Sequence, residues 1–188
     1  MSQQIEIEFK TLLSKEDYKR ICDYYQLQQS DFFSQTNYYF DTNDQTLAKN
    51  NCGLRIRALN GAGELTLKTP TNEGRLETTD RLTALQVEKR QIRPDGAVAK
   101  KLREYQVLPT ELKLLAELTT KRAEFKIAEG LLALDENWYS NQHDYELELE
   151  VDQTTDKNTF LQLLENFHIP YQTAENKVKR ALKNTAGN

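Results

Sequence analysis

The sequence predicts an α+β protein built on a closed eight-stranded antiparallel β-barrel, a tunnel with a polar, charged lumen, flanked by amphipathic helices. Two segments alternate strictly, Ile5-Glu6-Ile7-Glu8-Phe9-Lys10 and Tyr145-Glu146-Leu147-Glu148-Leu149-Glu150-Val151, which is the period at which a strand shows one charged and one apolar face. Six further runs carry strand signals with few long crossovers, so antiparallel pairing is favoured, and closure removes both exposed edges. Several helical segments carry an apolar stripe. If the apolar strand faces pointed inward, those stripes would lie on charge, so the charged faces are expected inside and the helices outside.

Taken in order, the strand over 5–10 is followed by Ser14 as an N-cap with Glu16 and Asp17 in the first turn, then by Tyr18, Ile21, Cys22 and Tyr25 at helical spacing. Gln35–Thr42 is rich in β-formers and closes at Asn43-Asp44. Leu54–Leu59 and Glu64–Lys68 flank the Gly-rich Asn60-Gly61-Ala62-Gly63 and form a hairpin, with Arg55 and Arg57 on one face and Thr66 and Lys68 on a face of the partner. Pro70 and Gly74 separate it from a strand over Arg75–Thr79, whose Arg75, Glu77 and Thr79 share a side. Strand signals fade from Thr83 to Thr110, where Asp95-Gly96 caps a helix carrying Val98, Leu102 and Tyr105, and Pro109-Thr110 starts a short helical or irregular stretch. Strands resume over Leu118–Phe125, Leu131–Asp135 and Tyr145–Val151. Two helices end the chain: a Phe160, Leu163, Leu164, Phe167 stripe that stops before Pro170, and a last helix capped at Thr173, with Lys177 and Arg180 one turn apart and Val178 and Leu182 on another side. Residues 1–184 are expected to form one domain, with 185–188 a frayed tail.

Composition narrows the class. With 29% charged and 38% hydrophobic residues and no apolar run long enough to span a bilayer, the chain is expected to be soluble, and without a basic-then-apolar leader it is expected in the cytoplasm with no membrane partner. A formal net charge of −4 argues against nucleic acid as a partner held by a general basic field. Cys22 and Cys52 lack zinc-site spacing, His143 and His168 stand isolated, Trp138-Tyr139 reads as a loop anchor, and Tyr39 and Asp41 read as strand-end structure.

The expected lumen collects Glu6, Glu8, Lys10, Arg55, Arg57, Lys68, Arg75, Glu77, Arg122, Asp135, Glu146 and Glu148. Each alone would read as solvated surface charge. Buried dry, each would cost several kcal/mol, so such a lumen must be wet or filled by a charged ligand. Carboxylates supply hard oxygen donors for Mg²⁺ or Mn²⁺, while Arg and Lys suit phosphoryl oxygens. A polyphosphate with a divalent metal uses both.

At this point the motifs meet a known family. Glu6-x-Glu8-x-Lys10 resembles the ExExK signature of the CYTH domain, or triphosphate tunnel metalloenzyme, superfamily. The match continues in order through Tyr38-Tyr39-Phe40-Asp41-Thr42, Leu54-Arg55-Ile56-Arg57, Leu65-Thr66-Leu67-Lys68, Thr120-Lys121-Arg122, Leu134-Asp135, Glu146-x-Glu148 and Lys177-x-x-Arg180, in a layout similar to the bacterial YjbK-like branch. The resemblance implies a metal-dependent triphosphate hydrolase acting on inorganic tripolyphosphate or a nucleoside triphosphate with Mg²⁺ or Mn²⁺. It implies Glu6, Glu8, Asp135, Glu146, Glu148 and Glu150 as metal ligands or their water-mediated supports, and Lys10, Arg55, Arg57, Lys68, Arg122 and Lys177 as the triphosphate clamp, with Arg75, Glu77 and Arg180 grouped beside them. Glu6, Glu8, Lys10 and Glu148 would carry catalysis, with Glu77 or a metal-bound hydroxide as alternatives for taking the proton. A class IV-type adenylyl cyclase and a non-catalytic polyphosphate or nucleotide binder stay open, as does a homodimer. Animal thiamine triphosphatases place a tryptophan where Cys52-Gly53 stands here, which disfavours that substrate.

Overall fold

A computed structural model describes residues 2–152 and 157–183; the tail expected at 185–188 lies outside them. The strands are β1 (Ser2–Leu13), β2 (Phe32–Asp41), β3 (Gly53–Leu59), β4 (Ala62–Pro70), β5 (Arg75–Leu82), β6 (Lys113–Ile127), β7 (Gly130–Tyr139) and β8 (Gln142–Val151). They close into a barrel in the order β1-β5-β4-β3-β2-β6-β7-β8, and every neighbouring pair is antiparallel. The first strand makes the closure. Its opening residues pair with β5, placing Glu6 opposite Arg75, and its remainder pairs with β8, placing Glu8 opposite Glu150 and Lys10 opposite Glu148.

The helices are α1 (Lys15–Tyr24), α2 (Thr46–Lys49), α3 (Ala84–Glu88), α4 (Ala97–Glu104), α5 (Lys157–Asn166) and α6 (Lys177–Lys183). Ser14 caps α1 by accepting the Asp17 N–H at 3.0 Å. Asp41 closes its strand by accepting the N–H groups of Thr42, Leu47 and Ala48. Asp80 accepts the Ala97 and Val98 N–H groups at 3.1 and 2.9 Å, and a Cβ at Gly96 would stand 2.1 Å from its carboxylate, so only glycine lets the chain approach this closely.

Two apolar clusters cover the barrel's exterior. One joins Tyr18 and Ile21 of α1 and Phe160, Leu163 and Leu164 of α5 to Leu132, Leu134, Leu147 and Leu149. The other joins Leu47, Val98 and Leu102 to Leu54, Ile56, Leu65 and Leu67. A third cluster differs in kind: Tyr39, Ala116, Leu118 and Tyr139 pack with Ala181, and with Val178 and Leu182 beside it. These strand residues share the parity of Asn37, Thr120 and Asn137, which face the lumen, so α6 packs into one end of the barrel.

Several sequence expectations need correction here. The lumen is not charged along its whole length, since its α6 end is apolar. Thr173 is not the N-cap of the last helix: it bridges to Thr11, and α6 starts at Lys177, with the Asn176 carbonyl accepting from Lys179 and Arg180. Trp138 and Tyr139 lie in β7, not in a loop. The sixth strand starts at Lys113, because a bulge shifts the register from Tyr39↔Ala116 to Phe40↔Leu114 and breaks the alternation around Leu115.

Candidate active site

Inward parity brings Glu6, Glu8 and Lys10 of β1, Gln35, Asn37 and Tyr39 of β2, Arg55 and Arg57 of β3, Lys68, Arg75, Thr120, Arg122 and Glu148 onto one cavity of about 520 Å³. Its exposed lining residues are Gln45, Ala48 and Asn51 around α2 and Asn176 and Lys179 at the start of α6. A recess of about 30 Å³ is lined by Glu6, Glu8, Glu124, Glu148 and Glu150 with Arg122. The lumen therefore has an acidic region and a basic one.

Most charges are paired. Arg122 grips Asp135 through two hydrogen bonds of 2.7 Å and also donates to Glu148. Lys177 reaches in from α6 to Asp135 at 2.7 Å and to Glu148. Lys10 meets Glu8 at 2.6 Å, and Lys68 meets Glu6 and, at 2.8 Å, Glu77. Arg57 is held more loosely: its nearest acceptors are Asn37 at 3.3 Å and Glu64 at 3.4 Å.

The electrostatics follow from that pairing. Burial alone would raise the Glu148 carboxyl, but Lys177, Arg122 and Lys10 outweigh it and hold it well below the usual range. Burial likewise opposes Lys177, yet Asp135, Glu146 and Glu148 keep its ammonium charged. Arg57 goes the other way, pulled down to about 10 by burial and by the neighbouring charges of Arg55 and Arg122. Its ion pair with Glu64, at 3.4 Å, is longer than those of Lys10, Lys177 and Arg122. Burial pushes Glu146 up to about 7 in spite of Lys177 and Arg180.

Other predicted site residues lie behind this lining. Asp135 and Glu146 are wholly buried and engaged by Arg122, Lys177 and Arg180. Glu77 is tied to Lys68 and Arg55; burial would raise its carboxyl, but those cations hold it low, which makes it a weak proton acceptor. Arg75 sits at the cavity wall and donates to the Asn51 carbonyl. Arg180 turns away from the cavity to Asp144 and Glu146. Gln35, Asn37 and Asp144 stand outside the sequence-predicted site, and Tyr39 lines the cavity as well as ending its strand; the alternation of Gln35-x-Asn37-x-Tyr39 and the same-face position of Asp144 beside Glu146 are the signals that mark them.

The donor set suits a hard divalent cation. Burial raises both Glu6 and Glu150, and neighbouring carboxylates add to it: Glu8 and Glu77 at Glu6, and Glu6 and Glu77 at Glu150. A bound cation would relieve that imbalance. Among the described residues no three acidic, His or Cys side chains are grouped as a metal site, and Lys10, Lys68 and Lys177 are paired with Glu8, Glu6 and Glu148.

A closed antiparallel tunnel whose lumen carries both carboxylates and guanidinium groups is the class of protein that fold and site define. The chain belongs to the CYTH domain family, whose model matches residues 4–182. That membership implies a divalent metal. It is 39% identical over 181 residues to YjbK of Bacillus subtilis, which bears a provisional triphosphatase name, covering 96% of this chain and 95% of that protein. A Bacillus halodurans structure with a provisional adenylate cyclase name superimposes with a TM-score of 0.89 at 37% identity, covering 96% of this chain and 98% of the other. A Hippeastrum protein, described as a cyclase with dominant triphosphatase activity, shares the fold at a TM-score of 0.77 and 23% identity, covering 96% of each chain. Among the described residues no helix is long and apolar enough to cross a membrane.

Proposed function

We propose that this protein is a divalent-metal-dependent triphosphatase that binds its substrate, inorganic tripolyphosphate or a nucleoside triphosphate, in the barrel lumen. The observation that carries this reading is the cavity wall on which Arg55, Arg57, Lys68 and Arg122 converge, with Arg57 held only by loose acceptors, Asn37 at 3.3 Å and Glu64 at 3.4 Å. A polyanion supplies what that wall lacks. The triphosphatase name of the 39% identical Bacillus relative supports it.

In this reading Arg55, Arg57, Lys10, Lys68, Arg122 and Lys177 hold the phosphoryl oxygens, and Glu6, Glu8, Glu148 and Glu150 hold Mg²⁺ or Mn²⁺. When bound, the cation neutralises charge on the transferred phosphoryl group and assists the attacking water. The chain's own contribution is placement: strands β1, β3, β4 and β6 and helix α6 carry the cations, and Asp135 and Glu146, behind them, hold Arg122 and Lys177 in position. A cytoplasmic setting agrees with the free thiols of Cys22 and Cys52.

The name borne by the Bacillus halodurans relative favours one second reading, an adenylyl cyclase. Product analysis separates the two. A panel of triphosphates incubated with Mg²⁺ or Mn²⁺ should release orthophosphate. Cyclic AMP with pyrophosphate from ATP would establish the cyclase, and inertness toward every triphosphate would remove both.

A further inference from the structure

We infer that Arg180 is a positioning residue: it anchors α6 to β8 so that Lys177 stands in the lumen, and it does not touch the triphosphate itself. This rests on the reading of the lumen as a triphosphate site.

The geometry begins with the helix. The described part of α6, seven residues, is too short to be stable without tertiary contacts. It follows the 170–176 segment, where Thr173 bridges to Thr11. What holds it is therefore side-chain docking: the small cluster around Ala181, the ion pairs of Lys177, and Arg180. The guanidinium, 8% exposed, donates to Asp144 at 3.1 Å and to Glu146. Asp144 is itself fixed, accepting from Asn137 at 3.0 Å and from the Tyr139 hydroxyl, and Asn137 accepts from Thr120 at 2.7 Å. The network thus runs from β6 through β7 and β8 to α6, and its carboxylates face the helix before any ligand arrives.

One turn earlier on the same helix, Lys177 lines the cavity and Arg180 does not. The two side chains share Glu146, which Lys177 approaches at 3.6 Å. Burial makes the lumen a costly place for an ammonium. Lys177 stays there because Asp135 and Glu148 face it, and because Arg180 holds the backbone that carries it. The forked guanidinium reaches Asp144 through Nη1 and Glu146 through Nη2, two directed donors that a lysine's single nitrogen does not reproduce in the same geometry.

Two measurements test this on the intact chain. The first is backbone amide exchange, which needs no ligand: Arg180→Ala and the milder Tyr139→Phe should speed exchange over 177–183 while the strands keep wild-type protection. Unchanged exchange in α6 would overturn the inference. The second is a double-mutant cycle on tripolyphosphate hydrolysis with Mg²⁺. Arg180→Ala should raise KM about tenfold, the size of one charge-assisted hydrogen bond, with a smaller change in kcat. It should add almost nothing in a Lys177→Ala background, and Arg180→Lys should restore only part of the loss. Additive effects in the cycle would make Arg180 a direct ligand and refute its positioning role. A wild-type protein inert on tripolyphosphate and on nucleoside triphosphates would sink the proposed function instead, and the exchange measurement would still decide the anchor.

Discussion

Arg122 and Asp135 face each other across β6 and β7 as a parallel pair, Nε to Oδ1 and Nη2 to Oδ2, each at 2.7 Å. Asp135 has no solvent exposure, and Lys177 takes its remaining reach. This carboxylate is the junction between the barrel wall and α6.

Asp135→Ala leaves two buried cations short of a counter-charge, so it should destabilise the fold by about 3–5 kcal/mol, the cost of breaking a buried pair from one side. Urea unfolding measures it. A loss within about 0.5 kcal/mol, the size usual for surface substitutions, would place the pair in solvent.

Arg57→Ala should behave differently. Because Arg57 lies beside like charges with only loose acceptors, its removal should leave stability unchanged or slightly higher while raising the KM for tripolyphosphate about tenfold or more. Steady-state kinetics beside thermal melts check both halves. A wild-type KM with a large fall in melting temperature would make Arg57 a structural residue.

The pH dependence has a defined sign. Glu146 is raised to about 7 in the folded state against an ordinary value of 4.5, so its protonated form favours the fold below pH 4.5 and that contribution is lost as pH rises through 7. Glu148 is depressed, so its contribution is present above 4.5 and is lost on acidification. Glu146→Gln should therefore gain stability relative to wild type between pH 4.5 and 7, and Glu148→Gln should gain on it only below 4.5. Denaturant titrations across pH 3–8 read the two differences. A Glu146→Gln difference that stays flat from pH 4.5 to 7 would contradict the assignment.

Much of the architecture was legible because two constraints agreed. Alternation at Ile5–Lys10 and Tyr145–Val151 fixed which side chains share a face, and the stripe of Phe160, Leu163 and Leu164 required an apolar wall to pack on, which turned the charges inward. What stayed hidden depended on distant partners. Lys177 and Arg180 occupy the same helix one turn apart, so the sequence grouped them on one ligand, but Asp144 and Glu146 draw Arg180 out of the cavity while Asp135 and Glu148 draw Lys177 into it. Leu118 and Tyr139 have inward parity and no charge, and nothing local announces that a helix enters the barrel to cover them. The short α2 and α3 helices hold four and five residues, too few to show a helical period.

The most direct measurement is the initial rate of orthophosphate release from tripolyphosphate by wild type and Glu148→Gln, with Mg²⁺ or Mn²⁺ and again after chelation. The wild type should turn over, with chelation stopping the reaction and metal restoring it, and the variant should lose kcat with its fold intact. Wild-type inertness, or a Glu148→Gln rate equal to wild type, would contradict the proposed function.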